Sequence, residues 1–167
     1  EKKYQVSNWA ITPNTNNDKL KKGLEKLGYP NGRIKRNVAG CANLGYCGMG
    51  CPIGAKQGTL LTTIPEAMNA GATLLTKTRA HKLIHKDGYI SALECFAIKN
   101  SSQQKTGVKI TVKAKHFILA AGSIGSPALV LRSNLDDPNN LVGKRTFLHP
   151  TAAVSAVYNE DIHGQQR

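Results

Sequence analysis

The stretch FILAAGSIGSPALVLRSNL constrains the fold more than any other part of the sequence. Its first five residues, Phe117–Ala121, form a continuous apolar run, which is typical of a strand buried on both faces. Gly122 and Gly125 then predict a tight turn, and Ala128–Leu131 supply the apolar side of a following helix, with Pro127 in its first turn. A glycine turn of this kind lets the backbone approach a ligand and directs helix N-terminal amides at an anion or a polar cofactor group. Because the same turn also joins strands and helices that bind no ligand, the spacing alone leaves both interpretations open.

The remaining pattern predicts a mixture of helices and antiparallel strands. Leucines repeat at helical spacing between residues 20 and 27, after N-cap candidates at residues 16–18, and TLLTTIPEAMNAGA is typical of a second helix. Further along, Asp87–Gly88 are placed as a hairpin turn between two strands, and residues 108–112 alternate between apolar and polar side chains. We therefore predict an α/β or mixed α+β fold with antiparallel hairpin strands, a buried strand-turn-helix and flanking helices.

The chain is strongly basic, with 23 Lys and Arg residues against 10 Asp and Glu residues and a formal charge of +13 over 167 residues. The charge shows little clustering, and aromatic residues make up only 5% of the chain, so we expect no nucleic-acid partner. The alternative function is a small basic binding module with a metal-holding cysteine loop, whose partner would be nucleic acid. No apolar run approaches the roughly 20 residues of a membrane-spanning helix, and no signal peptide is visible. The sequence does not predict a compartment.

Three cysteines lie in the glycine-rich stretch GCANLGYCGMGCPIGAKQ. Cys41, Cys47 and Cys51 are spaced C-x5-C-x3-C, and a proline follows the last of them. Thiolates in such a loop suit an iron–sulfur or zinc site, because small residues let the backbone wrap around an ion or a cluster. Zinc usually takes four ligands with closer pairs, and a disulfide is disfavoured without a visible export signal. The spacing leaves open an iron–sulfur cluster and plain reduced cysteines, whereas Cys95, in a predicted strand, is expected to be buried and structural.

Three motifs in one order resemble a known family. They are GYCGMGCPIGAKQGTLLTTIPEAMNAGATLLTKTRAHKLI, then FILAAGSIGSPALVLRSNL, then LVGKRTFLHP. In this order and at this approximate spacing they resemble the glucose-methanol-choline oxidoreductases, which are FAD-dependent enzymes that oxidise alcohols and sugars. The resemblance covers roughly residues 38–150. It implies an oxidoreductase in which hydride passes from an alcohol carbon to the flavin.

The resemblance implies four cofactor-binding residues. Ala121, Gly122 and Ser126 match the family's strand-turn-helix signature, whose turn lies against the FAD. Ala80 falls at the place of a family valine whose backbone meets the adenine ring. Because that contact is made by the main chain, alanine is a conservative replacement.

The resemblance is less complete just after the predicted helix. Ser133 fits the serine that follows this helix in the family, but Asn134 and Asp136 stand where glycines are usual. This departure bears on the local backbone after the helix, and with it on part of the flavin pocket. Residues 142–150 match the family segment that leads from the flavin domain into the substrate domain.

The cysteine loop resembles that of a sub-group of flavin dehydrogenase catalytic subunits, which carry a three-iron four-sulfur cluster near FAD. This likeness implies that Cys41, Cys47 and Cys51 are metal ligands and that the cluster passes electrons outward to an electron-carrier protein. It also implies a dehydrogenase acting on alcohol or sugar substrates, since such a relay is not needed by an oxidase that uses oxygen.

Two parts of the family pattern have no counterpart in this sequence. The GxGxxG loop that binds the FAD pyrophosphate is absent, and none of the five histidines stands in the family's catalytic histidine motif. We therefore expect a central segment of the FAD domain that is inactive by itself, with no catalytic residue of its own. The expected division is residues 1–71 for the helix, cysteine loop and second helix, 72–135 for flavin-domain strands and helix, and 136–167 for the start of the substrate domain. Exposed strand edges would favour self-association.

Overall fold

The structure, a computed structural model, describes residues 2–8, 11–99 and 104–164. The chain forms two compact units. The first unit comprises Glu1–Leu74 and Ala153–Arg167, and the second comprises Leu75–Ala152. None of the helices within the described residues is long and apolar enough to cross a bilayer.

The first unit is built from short elements around a long loop. A single 3-10 turn, Lys2–Tyr4, precedes strand β1 (Val6–Asn8), helix α1 (Thr15–Lys26), strand β2 (Lys35–Asn37) and helix α2 (Thr63–Asn69). Strands β1 and β2 pair antiparallel. Among the described residues of this unit, Ala55 is the buried hydrophobic residue, and neither α1 nor α2 contains a buried residue. The apolar sides of both helices are therefore left largely in solvent.

Helix α1 begins earlier than the cap candidates at residues 16–18 predict. Its N-cap is Asn14, whose side-chain oxygen accepts the backbone N–H of Asn17 at 3.0 Å. Residues 16–18 therefore lie inside the first turn, where the carboxylate of Asp18 is favoured by the positive end of the helix dipole. The prediction of an amphipathic helix with leucines at helical spacing is confirmed, but its cap was placed too far along the chain.

The second unit contains a three-stranded antiparallel sheet and one helix. Strands β3 (Thr78–Lys86), β4 (Tyr89–Ile98) and β5 (Lys105–Val112) lie in the order β3-β4-β5, and helix α3 (Gly122–Arg132) contacts β3. The hairpin between β3 and β4 turns at Asp87 and Gly88, with φ angles of 51° and 80°. Two successive positive φ values match the right-handed twist of the flanking strands, as Asp-Gly predicts. The predicted fold class, a mixture of helices and antiparallel strands, is confirmed.

The core of the second unit is small and lies between the sheet and α3. Its buried hydrophobic residues are Leu83, Ala92, Cys95 and Leu129. Cys95 is 4% exposed, and burial raises the pKa of its thiol, as expected for a structural cysteine. Helix α3 is thus held to the sheet through its second half, where Leu129 lies.

The predicted buried strand at Phe117–Ala121 does not form. These residues belong to neither a strand nor a helix, and the side chain of Ile118 is 91% exposed. A strand exists only when its N–H and C=O groups pair with a neighbour, and no strand of the described residues pairs with this run. The apolar run is a property of the sequence, whereas the strand depends on a partner strand.

Candidate functional site

The glycine turn at the start of α3 contains three of the predicted cofactor-binding residues, Ala121, Gly122 and Ser126. Ala121 is the N-cap of the helix, and its backbone N–H donates to the hydroxyl of Ser126 at 3.0 Å. The sequence predicted Pro127 in the first turn of the helix, but the helix begins at Gly122 and Pro127 lies in its second turn. Because proline has no N–H, the helix lacks one backbone hydrogen bond at this position. Next to it, the Ser126 hydroxyl is the hydrogen-bond acceptor of the Ala121 N–H.

The turn is open on the side of Gly122. Gly122 has a φ of 75°, and a Cβ built on it would meet nothing within 4 Å. Both Ala121 and Gly122 are exposed. A left-handed backbone without a side chain, facing open space, suits the close approach of a flat or anionic group. Gly125 is small for another reason, since its Cβ would lie 3.0 Å from the Cβ of Ala121.

The other end of α3 is fixed to the sheet by Ser133. This side chain is 1% exposed, and its hydroxyl donates to the Leu129 carbonyl at 2.6 Å while accepting the N–H of Leu83 at 2.9 Å. Arg132 adds a bond from its Nε to the carbonyl of His81 at 3.2 Å. Both bonds reach the edge of β3 that faces away from β4. Sequence reasoning placed Ser133 after the helix but did not assign it this role.

The backbone after α3 keeps the conformation that a glycine would adopt there. Asn134 has a φ of 52°, in the left-handed region that asparagine tolerates better than most residues. Asparagine and glycine can both provide a left-handed residue at a helix C-terminus, so Asn134 is compatible with a position where the family has glycine. Asp136 does not have a positive φ, so its backbone does not need a residue that tolerates the left-handed region.

Ala80 lies in β3, opposite Cys95 of β4, immediately before an irregularity in the register. The irregularity leaves His81 without a ladder partner, and the ring of His81 stacks edge-on against Phe96 at 4.8 Å. The end of α3 that bonds to His81 is about 15 Å from the turn at Gly122, at 1.5 Å per helical residue. The structure therefore brings Ala121, Gly122 and Ser126 together and places Ala80 near the other end of the same helix.

The cysteine loop, Gly40–Gln57, is closed at its base by backbone pairing. Val38 and Lys56 form an isolated antiparallel bridge, and the N–H of Ala39 donates to the carbonyl of Ala55 at 2.9 Å. Between these points the chain contains turns but no helix or strand. This base holds both ends of the loop in place while the cysteine-bearing part lies near the surface.

The three thiols of the loop are free and have different surroundings. Cys47 is exposed, whereas Cys41 and Cys51 are half-buried, and Cys41 Sγ accepts the N–H of Asn43 at 3.3 Å. Burial acts to raise the pKa of the Cys51 thiol, but hydrogen bonds from the backbone N–H groups of residues 53–56 outweigh it, so this pKa is lowered. Backbone amides that face a sulfur stabilise a thiolate.

The structure does not support the predicted iron–sulfur cluster. Within residues 2–8, 11–99 and 104–164, no group of three or more Cys, His, Asp or Glu side chains is arranged to hold a metal ion. Cys41, Cys47 and Cys51 line a shared cavity of about 50 Å³, which is a small space beside the loop. The residues as placed do not fit a cluster, and no electron-transfer step follows from them.

Comparison with known proteins decides the family. The profile of the GMC oxidoreductase family matches residues 1–151. The chain belongs to the GMC oxidoreductase family. This agrees with the resemblance carried by its three motifs, and the family implies FAD. No solved structure matches the chain.

Curated proteins are similar to this chain at moderate sequence identity. An uncharacterised GMC-type oxidoreductase of Sinorhizobium fredii, y4nJ, is 33% identical over 149 residues, which cover 89% of this chain and 28% of that protein. The long-chain-alcohol oxidase FAO1 of Arabidopsis thaliana is 33% identical over 156 residues, covering 89% of this chain and 20% of the relative. FAO4B of the same plant is 36% identical over 139 residues, covering 80% and 18%. The chain therefore spans less than a third of the length of these relatives.

Proposed function

We propose that this chain supplies part of the FAD site of an oxidoreductase acting on alcohol CH–OH groups. The observation that carries the proposal is the open glycine turn at Gly122, which precedes a helix anchored to the sheet by Ser133. When bound, FAD supplies the hydride acceptor. The turn would bring backbone close to the cofactor, and the anchored helix would hold that turn in a fixed position.

We propose distinct roles for the four predicted cofactor residues. Gly122 and Ala121 would contact the flavin nucleotide through backbone atoms, because a side chain at 122 would occupy the open space beside the turn. Ser126 would act indirectly, since its hydroxyl is already engaged by the N–H of Ala121. Ala80 would contact the adenine end through the main chain of β3. We propose that the base that removes the alcohol proton is not supplied by this chain, and by itself we expect the chain to be inactive.

The substrate class follows from relatives that are long-chain-alcohol oxidases. We propose an alcohol substrate on that basis, with sugars as the other candidate that the family resemblance allows. The prediction of a dehydrogenase with an electron-carrier partner depended on the iron–sulfur cluster. Oxygen consumption compared with reduction of an artificial electron acceptor distinguishes an oxidase from a dehydrogenase, and iron and sulfide analysis of anaerobically purified protein tests the cluster.

Two matched glycine substitutions test the role of the turn. Gly122→Ala and Gly88→Ala place an alanine at similar positive φ angles, 75° and 80°, and neither new Cβ meets another atom within 4 Å. Both substitutions carry the same backbone penalty of about 1–2 kcal/mol. Only the first lies at the proposed cofactor contact.

The measurement is the FAD content per protein, from absorbance after purification in excess FAD. We expect Gly122→Ala to lower the content strongly and Gly88→Ala to leave it close to that of the parent. Equal FAD content in the two variants, with circular dichroism showing both folded, would overturn the proposed contact.

A further inference from the structure

The segment between α1 and β2 contains a dipeptide that can react with itself. Asn31 is the only asparagine in the sequence that is followed by glycine. Both Asn31 and Gly32 are exposed, and they lie in neither a helix nor a strand. The backbone nitrogen of the residue after an asparagine can attack the side-chain amide, and glycine hinders this attack least because it has no Cβ. Whether the reaction occurs therefore depends on how firmly the structure holds the two residues.

The reacting groups of this dipeptide are not held by their surroundings. Among the described residues, neither the side chain of Asn31 nor the N–H of Gly32 takes part in a hydrogen bond. A Cβ built on Gly32 would meet nothing within 4 Å, so no neighbouring group restricts this residue. A segment with few contacts and no hydrogen bonds to its backbone samples other conformations at little cost. The Gly32 nitrogen can therefore turn toward the Asn31 side chain.

The hairpin turn of the second unit shows the opposite case. Asp87 and Gly88 are equally exposed, but their φ angles are fixed at 51° and 80°, and Lys86 pairs with Tyr89 across the turn. Bringing the Gly88 nitrogen to the neighbouring side chain requires the backbone to leave this conformation, which is closed by the strand pairing. The same chemistry is therefore favoured at residues 31–32 and opposed at the hairpin.

We propose that Asn31 is a site of spontaneous deamidation. Hydroxide removes the proton of the Gly32 N–H, and the nitrogen attacks Cγ of Asn31. An N–Cγ bond forms, the Cγ–Nδ2 bond breaks, and ammonia leaves. Water then opens the cyclic imide, either at Cγ to give aspartate or at the main-chain carbonyl carbon to give isoaspartate, whose backbone runs through the side chain. The reaction needs no oxidant or reductant, and it does not depend on FAD binding.

Peptide mass spectrometry of the purified protein that contains this chain tests the proposal. The protein is incubated at mildly alkaline pH and digested at acid pH, and the peptide that includes residue 31 is followed over time. We expect the amide to be replaced by a carboxyl group, with aspartate and isoaspartate forms that elute separately, and the rate to rise with pH because hydroxide removes the proton. A peptide that remains unmodified throughout the incubation would overturn the proposal.

A substitution at Gly32 tests the attacking nitrogen. Gly32→Ala should slow the conversion of Asn31 by at least about tenfold, because the added methyl group hinders the attack. Gly32 does not have a positive φ, and its Cβ would have open space, so this variant should fold. Conversion of Asn31 at the parent rate in Gly32→Ala would contradict the proposed route.

A second Asn–Gly dipeptide in the same molecule provides the control for the setting. Asp87→Asn places this dipeptide in the hairpin turn, and the variant should fold because Asn-Gly is a favoured sequence for such a turn. In the folded protein we expect conversion there to be at least about tenfold slower than at Asn31, which is about 1.4 kcal/mol in activation free energy. In denaturant the two rates should become similar. Equal rates in the folded protein, or a difference that persists in denaturant, would overturn the assignment of the reactivity to the open segment.

Discussion

Replacing Ser133 by alanine should open the edge of β3 selectively. The serine hydroxyl is the partner of the Leu83 N–H, and it is 1% exposed, so water cannot substitute for it without local opening. The Leu129 carbonyl keeps a partner after the change, because the backbone N–H of Ser133 also donates to it at 3.1 Å. The loss is therefore confined to one buried backbone donor.

The magnitude follows from that single unsatisfied N–H. Leaving a buried donor without a partner costs about 1–3 kcal/mol. At about 2 kcal/mol, and with a factor of ten for every 1.4 kcal/mol, opening at Leu83 becomes roughly 30-fold more frequent. Alanine is smaller than serine by only an oxygen, so the cavity contribution is minor.

Amide hydrogen exchange at Leu83, followed by NMR under conditions where exchange follows the opening equilibrium, measures this change directly. Ser123→Ala is the matched control, because Ser123 is exposed and takes part in no side-chain hydrogen bond among the described residues. It should alter exchange by no more than about 0.5 kcal/mol. If the Leu83 amide exchanges at the same rate in the Ser133→Ala and Ser123→Ala variants, the anchoring role of Ser133 is refuted.

Three further predictions concern single side chains of the chain. Asn134→Gly should leave the thermal unfolding midpoint nearly unchanged, whereas Asn134→Val should lower stability by about 1–2 kcal/mol because valine resists a positive φ, and equal midpoints would contradict this. Burial, together with the charges of Lys105 and Arg132, lowers the pKa of His81 from its ordinary value of 6.5, so the folded state binds fewer protons than the unfolded chain. Stability should therefore fall as pH decreases below about 6.5, and His81→Gln should remove that dependence. In the folded protein, mass spectrometry after brief maleimide treatment should find exposed Cys47 labelled well before any cysteine that is buried, and uniform labelling would contradict the fold.

The sequence predicted those parts of the fold that depend on neighbouring residues. Asp87–Gly88 form a hairpin because two adjacent residues tolerate positive φ, and α1 forms because leucines recur at helical spacing. The prediction of a buried strand at Phe117–Ala121 was wrong, because a strand needs a partner strand that no local pattern can supply. The contact between Ser133 and Leu83 spans 50 residues, and nothing in either local sequence indicates it.

The candidate site likewise has some features that the local sequence predicts and others that it does not. The turn at Gly122 was predictable, because glycines between an apolar run and a helix favour one backbone geometry. The positive φ of Asn134 is likewise predictable, because asparagine tolerates the left-handed region at helix ends better than most residues. The spacing of the cysteines shows which residues share a loop, and it does not determine whether their sulfur atoms converge on one point.

The most direct test of the proposed function is the cofactor content of the purified protein that contains this chain. The folded protein should show flavin absorbance, release FAD on denaturation at close to one equivalent per chain, and lose its visible absorbance when a long-chain alcohol is added anaerobically. A folded, colourless protein that takes up no FAD from excess cofactor would contradict the assignment of the Gly122 turn to a flavin site.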